Sequence, residues 1–334
     1  MTDAIPLLIC DDSSMARKQL IRSLPAYWPF QISQAENGLA GLDAIRAGKG
    51  EIVLLDLTMP ELDGFGVLAR MREENLHAKV IVVSGDVQDE AIRRALALGA
   101  RDFIKKPADA QELETALLAL DIKPAATRRD THFMTDVELP IVGFRDAFRE
   151  VANIAMGRAA ELLGRVLGVF IRLPVPNVNI LEVGELHMAL ADAQGNQRVS
   201  AICQGYIGGG IAGEALLIFH DSETRDVARL LNQQTSSNSQ LELQLDLAAI
   251  VIGACLNGIS EQLDIQLSSG HPLVLGQHCT IEELIRMNRT RWQRTLAVEI
   301  SYALEEHDIK FDLMLLFTED SVPALQEKVT FLIN

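Results

Sequence analysis

Leu55-Asp56-Leu57-Thr58-Met59-Pro60-Glu61-Leu62-Asp63-Gly64 decides the fold of the N-terminal part of this chain. An apolar run, Ile52–Leu57, carries a carboxylate at its end, a proline-containing turn follows, and helix-like apolar spacing begins at Phe65 and lasts to Glu73. The same alternation continues on both sides. Short apolar runs lie at Ile5–Cys10, Gln31–Ala35, Lys79–Ser84 and Asp102–Lys105, and helical patterns at Ser14–Leu24, Leu39–Ala47, Asp89–Leu98 and Ala110–Leu120. Five strands alternating with five helices predict an α/β domain, a doubly wound five-stranded parallel sheet covered on both faces. Right-handed crossovers bring every strand's C-terminal end to one edge, where a crevice forms.

The residues at those ends carry the chemistry. The first strand runs into Asp11-Asp12, the third into Asp56, the fourth into Ser84 and the fifth into Lys106 before Pro107. Three carboxylates in one crevice repel each other unless a cation sits among them, and hard oxygen ligands in that number suit Mg²⁺. A lysine and a hydroxyl nearby are suited to hold the oxygens of a transferred phosphoryl group. The implied reaction is attack by an aspartate on phosphorus, giving an aspartyl phosphate. Each feature alone has a structural reading: Asp12-Ser13-Ser14 can cap a helix, and a lone Lys-Pro is commonly a loop. Four such positions, each at a matching strand end, point to function.

With those motifs in place, residues 1–121 resemble the flavodoxin-like receiver domain of two-component response regulators. The matching residues are Asp11-Asp12, the stretch from Leu55 to Gly64, Val82-Val83-Ser84-Gly85 and Phe103-Ile104-Lys105-Lys106-Pro107. The resemblance implies that Asp56 accepts phosphate from a histidine kinase. It also implies that Asp11, Asp12 and Asp56, with a backbone oxygen at Thr58, surround Mg²⁺, and that Ser84 and Lys106 contact the phosphoryl group. Phe103 stands at the family's aromatic switch position, with a plain core aromatic as the alternative. Thr58 and Asp86 stand where the family tunes the lifetime of its phosphate.

The whole chain of 334 residues is 48% hydrophobic and 23% charged, a globular balance with room for two domains. Thirty Lys+Arg against 46 Asp+Glu give a net charge of −16, divided as −6 for residues 1–121 and −10 for the remainder. So acidic a chain repels phosphate backbones and anionic lipid, which excludes a general nucleic-acid binder and disfavours a helix-turn-helix output. Met1-Thr2-Asp3-Ala4 lacks a basic region followed by a long apolar core, so no secretion signal is expected. No apolar run is read as long enough for a membrane-spanning helix, and no membrane insertion is expected. Cys10, Cys203, Cys255 and Cys279 are scattered without zinc or disulfide spacing, which fits a reducing cytoplasm. Cys10, beside the acidic pocket, reads as a buried strand residue. Residues 122–135, with Pro124 and the polar run that follows, read as a linker to a second domain at 136–334.

That second domain repeats itself. Phe148–Gly157 has a weaker echo in Asp246–Gly253, and Gly157 to Gly253 and Pro176 to Pro272 share an offset of 96 positions. Strand-like runs follow in each copy, Ser200–Ile207 and Glu214–Phe219 in the first and Thr295–Ser301 and Phe311–Phe317 in the second. An α+β domain with an internal pseudo-two-fold is expected, its small-residue helices (Ala155, Gly157, Ala159, Ala160; Gly253, Ala254, Gly258) packing closely against a sheet. Gly208-Gly209-Gly210 reads as a turn, and Gln233–Gln240 as a polar loop between the repeats. Glu150 and Asn153 are three apart and share one helix face; with Arg149 beside them the plain reading is a solvated stripe. In the second copy their register positions hold Asp246 and Ala249.

The stretch from Asp146 to Asn153, followed at the family's spacing by Pro176, resembles the signature of CheC-type phosphatases, relatives of CheX and FliY. Gly205–Leu217 and Ala254–Ser260 support the resemblance, which spans roughly residues 136–334. It implies hydrolysis of aspartyl phosphate on a phosphorylated CheY-like receiver in chemotaxis. Asn153 would orient the attacking water, and Glu150 would pair with the receiver's active-site lysine. Only the first copy would be active. A non-catalytic alternative makes the second domain a phosphorylation-dependent interaction module and the receiver a phosphate sink. The catalytic reading requires Asn153 to be reachable rather than packed in the interior.

Overall fold

The computed structural model describes residues 4–120, 139–181, 198–220, 227, 237–280, 283, 295–307 and 309–333. The expected linker at 122–135 lies outside them. The chain divides into two compact units between Glu150 and Val151.

In the first unit, β1 (Ile5–Cys10), β2 (Phe30–Ala35), β3 (Ile52–Leu55), β4 (Lys79–Ser84) and β5 (Asp102–Lys105) form one parallel sheet, ordered β2-β1-β3-β4-β5. Between them run α1 (Ser14–Ser23), α2 (Gly38–Arg46), α3 (Gly64–Glu73) and α4 (Asp89–Ala97), with α5 (Ala110–Ala119) after β5. The inner strands β1, β3 and β4 are almost wholly apolar because helices cover both faces, whereas the edge strands β2 and β5 carry polar residues. Ser13, Asn37, Asp63 and Asp109 cap α1, α2, α3 and α5 by accepting a backbone N–H. Leu7, Ile9, Leu54, Ile81, Val83 and Ile104 of the sheet pack with Trp28, Leu113 and Leu117 in one buried cluster. β3 stops at Leu55, two residues before the expected end, because the carbonyl of Leu57 accepts from the Gly64 amide and closes the turn into α3. A Cβ at Gly64 would lie 2.3 Å from the Asp56 carbonyl oxygen, so the start of α3 comes this near to the acidic edge only with glycine there.

A long helix, α6 (Phe144–Leu167), begins in the first unit and continues into the second. The second unit also contains β6 (Ile171–Arg172), β7 (Asn177–Leu181), β8 (Val199–Gly208), β9 (Ile211–His220), α7 (Ser237–Leu263), β10 (Ser268–Ser269), β11 (Leu273–Cys279), β12 (Thr295–Leu304), β13 (Lys310–Thr318) and α8 (Val322–Ile333). Its strands form one antiparallel sheet in the order β10-β8-β9-β13-β12-β6, with β11 also on β8 and β7 also on β12. The expected repeat is visible in this topology. α6 and α7 end 96 residues apart, and so do the starts and ends of β8 and β12. β9 and β13 meet at the centre. Each copy sends its edge strand to the other: β7 of the first pairs β12 of the second, and β11 of the second pairs β8 of the first. Gly209 and Gly210, both with positive φ, make the tight turn between β8 and β9.

Two expectations need correction. Residues 237–240 of the expected polar loop open α7, and 233–236 lie outside the described residues. Leu241–Leu263 of α7 is long and apolar enough to cross a membrane. Its apolar residues nonetheless serve a protein core: Leu247, Ala248, Val251, Ile252, Cys255 and Ile259 are all buried. The small residues also bring helix to helix. A Cβ at Gly258 of α7 would lie 2.7 Å from Cα and 2.8 Å from Cβ of Ala155 on α6.

This contact makes a paired prediction. Gly258→Val forces α6 and α7 apart and should destabilise the second unit by about 1–3 kcal/mol. A Cβ at Gly253, by contrast, meets nothing within 4 Å. Gly253→Ala should therefore stabilise it by about 0.5–1 kcal/mol through helix propensity alone. Urea unfolding of both variants against the parent checks the signs; equal shifts would remove the close approach as the cause.

Candidate functional site

The strand ends of the first unit converge as the alternation requires. Asp11 and Asp12 follow β1, Asp56 follows β3, Ser84 ends β4 and Lys106 follows β5. Ligand atoms of Asp11, Asp12 and Asp56 all lie within 4.8 Å of one another. Lys106 Nζ stands 2.8 Å from Asp11 Oδ2 and 3.4 Å from Asp56 Oδ2, with all three side chains buried. The other oxygens are tied to backbone: Asp11 Oδ1 accepts from Ser13 N at 2.9 Å, and Asp56 Oδ1 from Leu57 N at 2.8 Å. Ser84 is wholly buried, and its Oγ accepts from Asp86 N at 3.2 Å. Thr58 is buried, whereas Phe103 is half-buried in β5 and lies outside the fully buried core cluster.

Packing these charges together has a cost visible in their acidity. Burial first, then repulsion from Asp11, pushes the Asp12 carboxyl up to about 7 against the pull of Arg149 and Lys106. Burial raises Asp56 well above the carboxylate range; Lys106 opposes the shift, and Asp11, Glu150 and Asp12 add to it. Burial alone would lower the Lys106 ammonium, but Asp11, Asp56 and Glu150 together hold it well above its usual value. Asp11 Oδ2 and Asp56 Oδ2 are buried and accept no well-formed hydrogen bond, so these facing oxygens retain coordinating capacity. The set fits a divalent cation with oxygen ligands. Burial, followed by Asp11 and Asp56, pushes the Cys10 thiol up to about 12, which makes it the inert strand residue expected.

The first unit continues through the opening turns of α6, and these supply a further acidic group. Glu150 Oε1 lies 3.0 Å from Lys106 Nζ, and Glu150 is 2% exposed. Burial raises its carboxyl, while the charge of Lys106 opposes the shift. Asp146 Oδ2 accepts from Met15 N at 3.2 Å and from Ser14 Oγ at the start of α1. Arg149 Nη2 donates to Asp146 Oδ1 at 2.9 Å and stands 3.6 Å from Asp12 Oδ2. Arg149 is therefore not the solvated stripe its neighbours suggested, and neither Asp146 nor Arg149 was singled out for a role. The i,i+3 spacing of Asp146 and Arg149 was the available signal; their partners, more than 130 positions away, gave none.

Asn153 belongs to the second unit and is only 5% exposed, contrary to the expectation of a reachable amide. It shares this with its neighbours: every residue of α6 from Glu150 to Gly157 is buried. The repeat shows that this face is not intrinsically interior. Asp246 and Ala249, at the corresponding positions of α7, are both exposed. In the first copy the corresponding positions are buried.

A family model for the response regulator receiver domain matches residues 7–118. The chemotaxis protein CheY of Listeria monocytogenes is 38% identical over 114 residues, covering 34% of this chain and 95% of that protein. A protein-glutamate methylesterase/protein-glutamine glutaminase of Rhodopseudomonas palustris is 36% identical over 164 residues, covering 47% of this chain and 43% of that protein. The chain thus spans less than half the length of that relative. Among solved structures, FliY of Thermotoga maritima is similar with a TM-score of 0.43 at 19% identity, covering 56% of this chain and 96% of that one.

Asp86, next to the site, allows a test of the electrostatics away from the three carboxylates. Burial pushes its carboxyl from 3.8 up to about 6, against hydrogen bonds from Gln88 N and Nε2. The folded state then binds the extra proton between those values, so this group lowers stability as pH rises through that window. Asp86→Asn keeps an acceptor and removes the charge. It should raise the thermal midpoint at pH 7.5, by up to about 3 kcal/mol in stability, with the gain fading towards pH 4. A gain constant with pH would assign the effect to packing instead.

Proposed function

The chain belongs to the response regulator receiver family through its N-terminal domain, and we propose that Asp56 is its phosphoacceptor and that the C-terminal domain is a CheC-like aspartyl-phosphate phosphatase. The donor is a histidine kinase. An Asp56 carboxylate oxygen attacks phosphorus, the P–N bond of the phosphohistidine breaks, and its electron pair and a proton end on the imidazole. Asp11, Asp12 and Asp56, with the Thr58 carbonyl, would hold Mg²⁺, which when bound offsets the charge of the carboxylates and the phosphoryl oxygens. Lys106 and Ser84 receive the remaining phosphoryl oxygens, and Phe103 responds as Ser84 moves. In this reading the protein acts in chemotaxis-type two-component signalling, and its location is the cytoplasm.

Hydrolysis on a CheY-like receiver needs one group more, a water in line with the scissile bond. The Asn153 amide orients it from a rigid helix, and Glu150 aligns that helix by pairing with the receiver's lysine. The observation that carries this reading is the buried Glu150 Oε1–Lys106 Nζ pair at 3.0 Å, in which the glutamate of the motif meets the lysine that follows a receiver's fifth strand. The burial of Asn153 favours a second reading, a phosphate-responsive interaction module without catalysis.

Two measurements separate them. Asp56→Asn should take no label from a small phosphodonor. Asn153→Ala should slow phosphate release from a phosphorylated CheY-like receiver by about a hundredfold. Unchanged turnover in Asn153→Ala, with binding still dependent on Asp56, would leave the interaction module.

A further inference from the structure

We propose that the aspartyl phosphate hydrolysed with the help of Glu150 is the one formed on Asp56 of the same chain. This rests on the phosphatase reading above and adds its substrate.

The residues of α6 that lie in the first unit are already matched to this chain's own phosphoacceptor site. Glu150 pairs with Lys106, whose ammonium also faces Asp56 at 3.4 Å. Arg149 reaches Asp12, and Asp146 accepts from the start of α1, at Met15 N and Ser14 Oγ. Three side chains within two turns thus engage three separate parts of the receiver, after β1, at the start of α1 and after β5. A random surface contact would not single out the groups that flank the acceptor. Glu150 can serve one lysine at a time, and it is 2% exposed with Lys106 on it. A lysine from another protein would have to displace a buried partner and leave its charge uncompensated, which is strongly disfavoured. Encounter within one chain is, in addition, independent of concentration.

The step balances without a further reactant. Water oxygen forms a bond to phosphorus, the bond from phosphorus to the Asp56 carboxylate oxygen breaks, and its electron pair returns to the carboxylate. The water's protons leave with inorganic phosphate and solvent. Glu150 is a positioning residue here, acting through Lys106, and the phosphatase reading assigns the water to the amide one helical turn on, Asn153. The chain thereby sets the duration of its own phosphorylated state.

The test uses the full chain labelled on Asp56 by acetyl phosphate, freed of donor and followed as acyl phosphate decays. The decay should be first order and unchanged over about a hundredfold dilution. Asn153→Ala and Glu150→Ala should each slow it by about tenfold or more, with Glu150→Gln, which keeps a hydrogen-bond acceptor for Lys106, restoring part of the rate. Equal labelling of all chains shows that the acceptor site is intact in each. A decay rate unmoved by these variants, which at the same time lose activity on an added phosphorylated CheY-like receiver, overturns self-hydrolysis and keeps the phosphatase. A rate unmoved in both assays overturns both. Labelled Asn153→Ala chain that regains fast decay when mixed with Asp56→Asn chain makes a second copy the agent, and overturns the proposal as stated.

Discussion

One buried ammonium holds the functional centre together. Lys106 lies within 3.4 Å of carboxylate oxygens from Asp11, Asp56 and Glu150, and Asp12 stands close by. Parallel strands with right-handed crossovers cannot avoid presenting their C-terminal ends at one edge, and this sequence places an acid at two of those ends and the lysine at a third. The edge therefore concentrates more negative than positive charge in a region from which water is excluded. Such an arrangement is tolerable only while each charge keeps a partner. The excess of carboxylates calls for a cation or for protonation, and burial, with repulsion from neighbouring carboxylates, accordingly makes Asp12 and Asp56 weaker acids.

The scaffold around the centre is built to keep those partners in register. Ser13 both caps α1 and fixes one oxygen of Asp11, and Leu57 N fixes one oxygen of Asp56. Gly64 lets α3 begin against the Asp56 carbonyl, where any side chain would collide. Arg17, buried below α1, donates to the Asp11 carbonyl at 2.7 Å and so supports the same corner from behind. The oxygens left over point at Lys106. Those are the ones a phosphoryl group or a metal would engage, so the fold immobilises the carboxylates while leaving their reactive sides unsatisfied.

How much of this could be read in advance depended on how local each signal was. The receiver sheet was legible because its inner strands are apolar runs and the acids, hydroxyl and lysine sit at strand ends. The repeat was legible in its register, and the offset of 96 holds across β8 and β12 to the residue. The exchange of β7 and β11 between copies was not, since a strand's partner is set by sheet closure and not by its own composition. Asp146 and Arg149 look like ordinary helix-surface charges, because what gives them meaning lies in another element more than 130 residues earlier. α7 misled in a different way: a core helix flanked by a sheet and a second helix is apolar enough to imitate a membrane span. For Asn153 the helix was legible from its spacing and the burial of the side chain was not.

The internal symmetry turns that failure into an argument. The two copies carry corresponding helix positions, buried in α6 and exposed in α7. The exposed face is the one without an amide. That face, on α7, carries Asp246 and Ala249, the second of which has no polar side-chain atom with which to orient water. The amide and the longer carboxylate stand instead on α6, where Glu150 already meets the chain's own Lys106. The glutamate and the amide thus stand together on the helix whose face is buried, and the exposed helix carries a shorter carboxylate and a methyl group at those positions.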